Sequence, residues 1–128
     1  MQRKKSYYFF KLFFYSFLFC TLAYSSFRLA YANDATKGLQ HYQKEQYEDA
    51  YRYFSRPEAQ KNPKVQRDLG YMYSNGIVVK QDYKKALYWF EKAAKQGDRQ
   101  AICDIGVMYT FGQGVKQDYK KASQYYRK

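Results

Sequence analysis

Apolar positions along the chain follow two patterns. Residues 12–24, LFFYSFLFCTLAY, form one uncharged run near the start, whereas beyond residue 33 the apolar positions recur at helical intervals. Tyr83, Ala86, Leu87, Phe90, Ala93 and Ala94 fall at i, i+3, i+4, i+7, i+10 and i+11. That spacing predicts a long amphipathic helix with one buried face. Asp82 stands before it as an N-cap and Gly97 after it as a stop, and Asp118 repeats the cap further on. Asn62 and Pro63 open an earlier helix, and Asp98 opens another. Glycine-bearing loops over residues 75–81 and 111–117 join each pair.

The pattern repeats. VKQDYKKA occurs at residues 79–86 and again 36 residues on at 115–122, and 14 of the 29 positions in 64–92 are identical in 100–128. The shared framework is D-[LI]-G-x-M-Y-x-x-G-x-x-V-K-Q-D-Y-K-K-A. A fainter copy lies upstream, where Ala50 and Phe54 precede Ala86 and Phe90 by the same interval. Self-similarity at this period predicts an all-α solenoid of antiparallel helix hairpins, about three units long. In the repeated string, valine is expected to anchor the loop, aspartate to cap, tyrosine to begin the apolar stripe, and alanine to let two helices approach. Lysines 80, 84, 85, 116, 120 and 121 are expected to stay in water, as a solvated face or as a clamp for an anion.

These residues resemble the Sel-one-like repeat family, relatives of tetratricopeptide repeats with a longer loop between the two helices. The resemblance is specific over residues 63–128 and loose over 34–62. Gly38 precedes Ala50 by 12 residues, the tetratricopeptide spacing, where Gly70 to Ala86 spans 16. The first copy is therefore expected to be a hybrid hairpin with a tight Lys44-Glu45 turn, its second helix ending before Pro57. The expected division is a secretory signal over 1–32, a degenerate hairpin over 33–62, a second repeat over 63–98, and a shortened third over 99–128. The resemblance implies a solenoid for protein–protein contact, frequent in exported bacterial proteins and in adaptors for membrane-bound machinery, and it implies no activity.

The uncharged run changes meaning beside its flanks. Arg3, Lys4 and Lys5 precede it, and Ala30-Tyr31-Ala32 supplies an A-x-A site, the three parts of a secretory signal. Cleavage after Ala32 is the leading expectation, giving a periplasmic or secreted protein; a cut after Ala23 and an uncleaved inner-membrane anchor are the alternatives. The run is shorter than the roughly 20 apolar residues of a spanning helix. Lipidation at Cys20 is disfavoured by bulky Phe19. The whole chain carries +12, and removing residues 1–32 takes five basic residues and no acidic one, leaving +7 and a single cysteine, Cys103. An intramolecular disulfide is then impossible.

Advancing 100° per residue along each first helix puts Val65, Leu69, Met72 and Tyr73, and likewise Ala101, Ile105, Met108 and Tyr109, on the core side. The opposite side carries Lys64, Arg67, Tyr71, Ser74 and Asn75, then Gln100, Cys103, Val107, Thr110 and Phe111. In the family that face lines the concave groove, which Leu39, Tyr42 and Gln43 would extend. Lys64, Arg67, Tyr71, Asn75, Gln100, Cys103, Val107 and Phe111 are the expected partner-binding residues. The face varies between copies, as a specificity surface would and as unconstrained surface also would. Arg67 is expected to meet a partner's carboxylate, with Tyr71 and Phe111 holding apolar side chains. Cys103 is read either as a buried inert thiol or as a groove-facing one that pairs between molecules.

Catalysis lacks parts. His41, the sole histidine, has no cysteine or carboxylate at ligand spacing, and neither S-x-x-K, K-T-G nor a Walker-type loop occurs. No cofactor, metal or nucleic-acid partner is expected. The leading function is a non-catalytic module binding a protein or peptide on the groove. The runner-up is a basic module on an anionic surface such as lipid, lipopolysaccharide or cell-wall polymer, touching a membrane only through residues 1–32 or its basic face. Tyr119, Ala122, Tyr125 and Tyr126 would leave one apolar side open near residue 128, so self-association through that end is a further expectation.

Overall fold

The computed structural model describes residues 2–128, with side chains for all of these except residues 2–9, 27, 28 and 30–32. The described residues form α1 (Gln2–Gln43), α2 (Tyr47–Phe54), a 3-10 turn (Ala59–Lys61), α3 (Pro63–Asn75), α4 (Tyr83–Lys95), α5 (Arg99–Phe111) and α6 (Tyr119–Tyr126), with no strand among them. Contacts divide the chain into residues 1–33 and 34–128, and α1 carries residues of both units.

In the first unit the described side chains from Phe10 to Ser26 are exposed, among them Phe13, Phe14, Phe17 and Phe19. Thr21 donates to the Leu18 carbonyl at 2.9 Å, and Ser25 and Ser26 donate to that of Leu22, so these hydroxyls satisfy themselves within the helix. No helix, among the described residues, is long and apolar enough to cross a membrane. Ala32, the expected cleavage site, lies outside the described side chains.

The second unit is built by capping and by one recurring close approach. Asn62, Asp82, Asp98 and Asp118 each accept from a backbone N–H in the first turn of their helix, at 2.9–3.0 Å. Gly76 and Gly112 end α3 and α5 in the left-handed conformation, at φ 65° and 66°. Within each hairpin a glycine of the first helix receives an aromatic ring of the second. A Cβ at Gly38 would lie 2.7 Å from the Phe54 ring, at Gly70 2.7 Å from Phe90, and at Gly106 2.6 Å from Tyr126. The glycine is required here because any side chain would push the helices apart.

Two apolar clusters result. Ala35, Ala50, Phe54, Ala59, Val65, Leu69 and Met72 make the first, joined by Leu39, Tyr42, Val79 and Trp89. Ala86, Phe90, Ala93, Ala101, Ile105 and Met108 make the second, with Tyr73, Leu87, Tyr109 and Tyr125 against it. A fully buried side chain of the size of Leu69 or Ile105 contributes about 1.5–3 kcal/mol. The first hairpin turns tightly at Lys44-Glu45, with Glu45 at φ 59°, and α2 ends three residues before Pro57.

The repeated string has a fuller structural role than capping alone. Gln81 and Gln117 reach back from the loop to donate to the carbonyls of Ser74 and Thr110 at 2.8 Å, and each also donates to the hydroxyl of the tyrosine two residues on. They satisfy carbonyls that the ends of α3 and α5 leave free. Lys85 and Lys121 lie 5.3 Å above the rings of Tyr73 and Tyr109. All six loop and first-turn lysines are exposed.

Candidate functional site

The first helices present the face that the angular reading assigns to a groove. Lys64, Tyr71, Asn75, Gln100, Cys103, Val107 and Phe111 are exposed, while Val65, Leu69, Met72, Ala101, Ile105 and Met108 are buried beneath them. Tyr71, Val107 and Phe111 are 49%, 38% and 67% exposed. Asn75 is turned back on its own helix, donating to the Tyr71 carbonyl at 2.9 Å. The Cys103 thiol is exposed rather than buried. Leu39 and Tyr42 are half-buried against the first cluster, so they belong partly to the core and not simply to the groove.

Arg67 requires a correction. Its expected partner was a carboxylate supplied by a ligand, but Nη1 lies 3.3 Å from Asp98 Oδ2 and Nη2 lies 3.5 Å from Asp68 Oδ1. Asp98 caps α5, so the arginine of one repeat is drawn to the helix start of the next. Its charge is committed within the chain. The His41 Nδ1 sits 2.8 Å from Gln46 Oε1, and its ring stacks on that of Tyr53.

Beside Arg67 the helices frame an open surface depression of about 500 Å³. Tyr42 of α1, Tyr47 of α2, Asp68 and Tyr71 of α3, and Gln100 and Asp104 of α5 line it with Arg67. Asp68 is only 7% exposed, and burial pushes its carboxyl up to about 6 against the opposing pull of Arg67. Burial also raises Asp104, although a hydrogen bond from Gln100 works the other way. The Tyr42 hydroxyl is raised too, first by burial and then by the Asp68 charge. In both aspartates the loss of hydration outweighs the pull of the neighbouring donors and cations, so burial disfavours the charged form.

Sequence reasoning placed Arg67, Tyr71 and Gln100 at this site but gave Asp68, Asp104 and Tyr47 no part in it. A signal existed. Asp68 interrupts an apolar stripe between Val65 and Leu69, a charge repeated in register as Asp104 between Ala101 and Ile105. Among the described residues no group of three or more His, Cys, Asp or Glu could hold a metal ion.

The Sel1 repeat model matches residues 63–98 and 99–128, just over half of the chain. The chain belongs to the Sel1 repeat family. Solved Sel1 structures agree in fold. A Sel1 repeat protein from Oxalobacter formigenes superposes with a TM-score of 0.71 and 35% identity over 73% of this chain and 38% of its own length. A protective antigen present in uropathogenic Escherichia coli strains, displaying an SLR fold, gives 0.68 and 30% identity over 76% of this chain and 22% of its own. This Sel1 chain thus spans well under half the length of either. No curated protein matches it. Sel1 repeats generally mediate protein–protein interaction as non-catalytic scaffolds, and the all-α hairpin architecture of this chain is that of a short Sel1 solenoid.

Proposed function

We propose that this Sel1 chain is an exported interaction module that binds a segment of a protein partner along the face formed by α3 and α5. The observation that carries the reading is the row Tyr71, Val107 and Phe111, exposed above a core that is complete without them. Two aromatic rings and a valine on rigid helices lose little conformational entropy on binding, which makes them efficient anchors. The cavity beside Tyr71 adds depth for a side chain.

Export is supported by the basic start, the uncharged run 12–24 and the A-x-A site, and its alternatives are a cut after Ala23 or retention as an inner-membrane anchor. Sequencing the N-terminus of protein recovered from its host distinguishes them: a start at Asn33 supports export with cleavage, and an intact Met1 refutes it.

Peptide selection tests the groove. The full chain is challenged with a displayed library of random dodecapeptides, and the peptides recovered are measured by calorimetry against Tyr71→Ala/Phe111→Ala. A loss of tenfold or more supports groove binding, and equal affinity refutes it. The second reading, an anionic-surface binder, draws on the six exposed lysines beside the starts of α4 and α6. Flotation with anionic vesicles that collapses between low and physiological salt would favour it.

A further inference from the structure

The cavity beside Arg67 carries a sign opposite to that of the molecule. The chain is strongly basic, at +12, yet among the described residues lining this depression Arg67 alone is cationic, set against Asp68 and Asp104. Asp98 adds a third carboxylate at its edge, already engaged in capping α5. The Arg67 contacts, 3.3 and 3.5 Å, are longer than the roughly 2.7–2.9 Å of a well-formed charge-assisted hydrogen bond. One guanidinium, engaged with Asp68 and Asp98, is thus set against three carboxylates. Lys64, at the start of α3, is exposed and outside the lining, although its charge still acts on Asp68.

The remaining walls are aromatic. Tyr42 and Tyr47 meet edge-to-face at 5.2 Å on one side, and the half-exposed Tyr71 stands on the other. Tyrosine rings over a carboxylate floor suit an ammonium or guanidinium, attracted by ring faces and carboxylates together. An acidic group would be repelled by Asp68 and Asp104, and an apolar one would strand their charge away from water.

Resting on the groove-binding reading above, we infer that the cavity between Tyr42, Tyr47, Asp68, Tyr71 and Asp104 receives one basic side chain, lysine or arginine, of the bound partner segment. The same face fixes its neighbour. Val107 and Phe111 follow Asp104 by three and seven residues, about 5 and 10 Å along the helix. An extended segment rising about 3.3 Å per residue then sets an apolar side chain two or three positions from the basic one.

The dodecapeptide selection decides this separately from the parent reading. Recovered peptides are expected to share a lysine or arginine two or three residues from an apolar one. Replacing that basic residue by glutamine, or introducing Asp68→Asn or Asp104→Asn in the chain, is expected to weaken binding at least tenfold. Asp68→Asn keeps the size and shape of the side chain, and urea titration establishes that the variant is folded before binding is compared. Peptides that bind through Tyr71 and Phe111 yet lack a basic residue, or keep their affinity after the glutamine or asparagine change, overturn the inference and leave groove binding intact. If no peptide is recovered, both fall.

Discussion

Asp68→Asn should make the protein more stable at neutral pH, by an amount that shrinks in acid. The carboxyl is buried and its value in the folded chain lies near 6, against 3.8 for the free group. Folding therefore favours its protonated form. The stability associated with that proton is fully present below about pH 4 and is lost as pH rises through about 6. A displacement of about two pH units corresponds to about 3 kcal/mol at most. Integrated between pH 4 and 7, it leaves about 2 kcal/mol of difference. The amide is neutral throughout and has no such dependence. The stability gained by the variant over the parent should thus be larger at pH 7 than at pH 4 by about 2 kcal/mol, the opposing pull of Arg67 being already contained in the value near 6. Urea denaturation of both full-length chains at the two pH values measures it, and the other carboxylates cancel because both proteins contain them. An advantage that is the same at both pH values would show that Asp68 is fully compensated, and the charge argument for the cavity would go with it. A gain at pH 7 joined to lost peptide binding would instead mark a residue kept for function against stability.

Val78 is left-handed at φ 64°, a conformation that strains a β-branched residue, and the matching position of the next repeat is Gly114 at φ 68°. Val78→Gly should raise stability by about 0.5–1 kcal/mol once the entropy of glycine is subtracted. Gly114→Val should lower it by about 3 kcal/mol, because its Cβ would come within 2.8 Å of the Tyr83 carbonyl. Thermal melts of the two variants moving in the same direction would refute the strain argument. Gly70→Ala should cost about 1–2 kcal/mol despite a better helix propensity, since the new methyl would meet the Phe90 ring at 2.7 Å; an unchanged urea midpoint would mean that the hairpin opens freely. Asp82→Ala should cost about 1 kcal/mol through the lost cap on α4, checked by the same titration.

The helices and their ends were legible because local chemistry decides them. Asp82, Asp98 and Asp118 cap where they stand, and the period of Tyr83, Ala86, Leu87 and Phe90 alone determines which side of α4 is buried. The 36-residue recurrence likewise required stacked hairpins, since one hairpin cannot bury its own apolar face. Angular position also predicted which side chains of α3 and α5 would be exposed, including Tyr71, Val107 and Phe111.

What angle could not supply was charge balance. Whether Arg67 is free for a ligand depends on Asp98, 31 residues away, and that proximity exists only once α5 packs against α4 and α4 against α3. The packing of α2 and α5 around α3 and α4 brings Tyr47 and Asp104 to one depression with Asp68, whose carboxyl is buried. Electrostatic energy depends on distances between repeats and on exclusion of water, and both are set by packing rather than by position along the chain. The sequence by itself therefore determined the repeat, its caps and its exposed face. Only the tertiary structure decided that Arg67, expected to meet a partner's carboxylate, is engaged with Asp68 and Asp98, and that Asp68 and Asp104 line one depression with it.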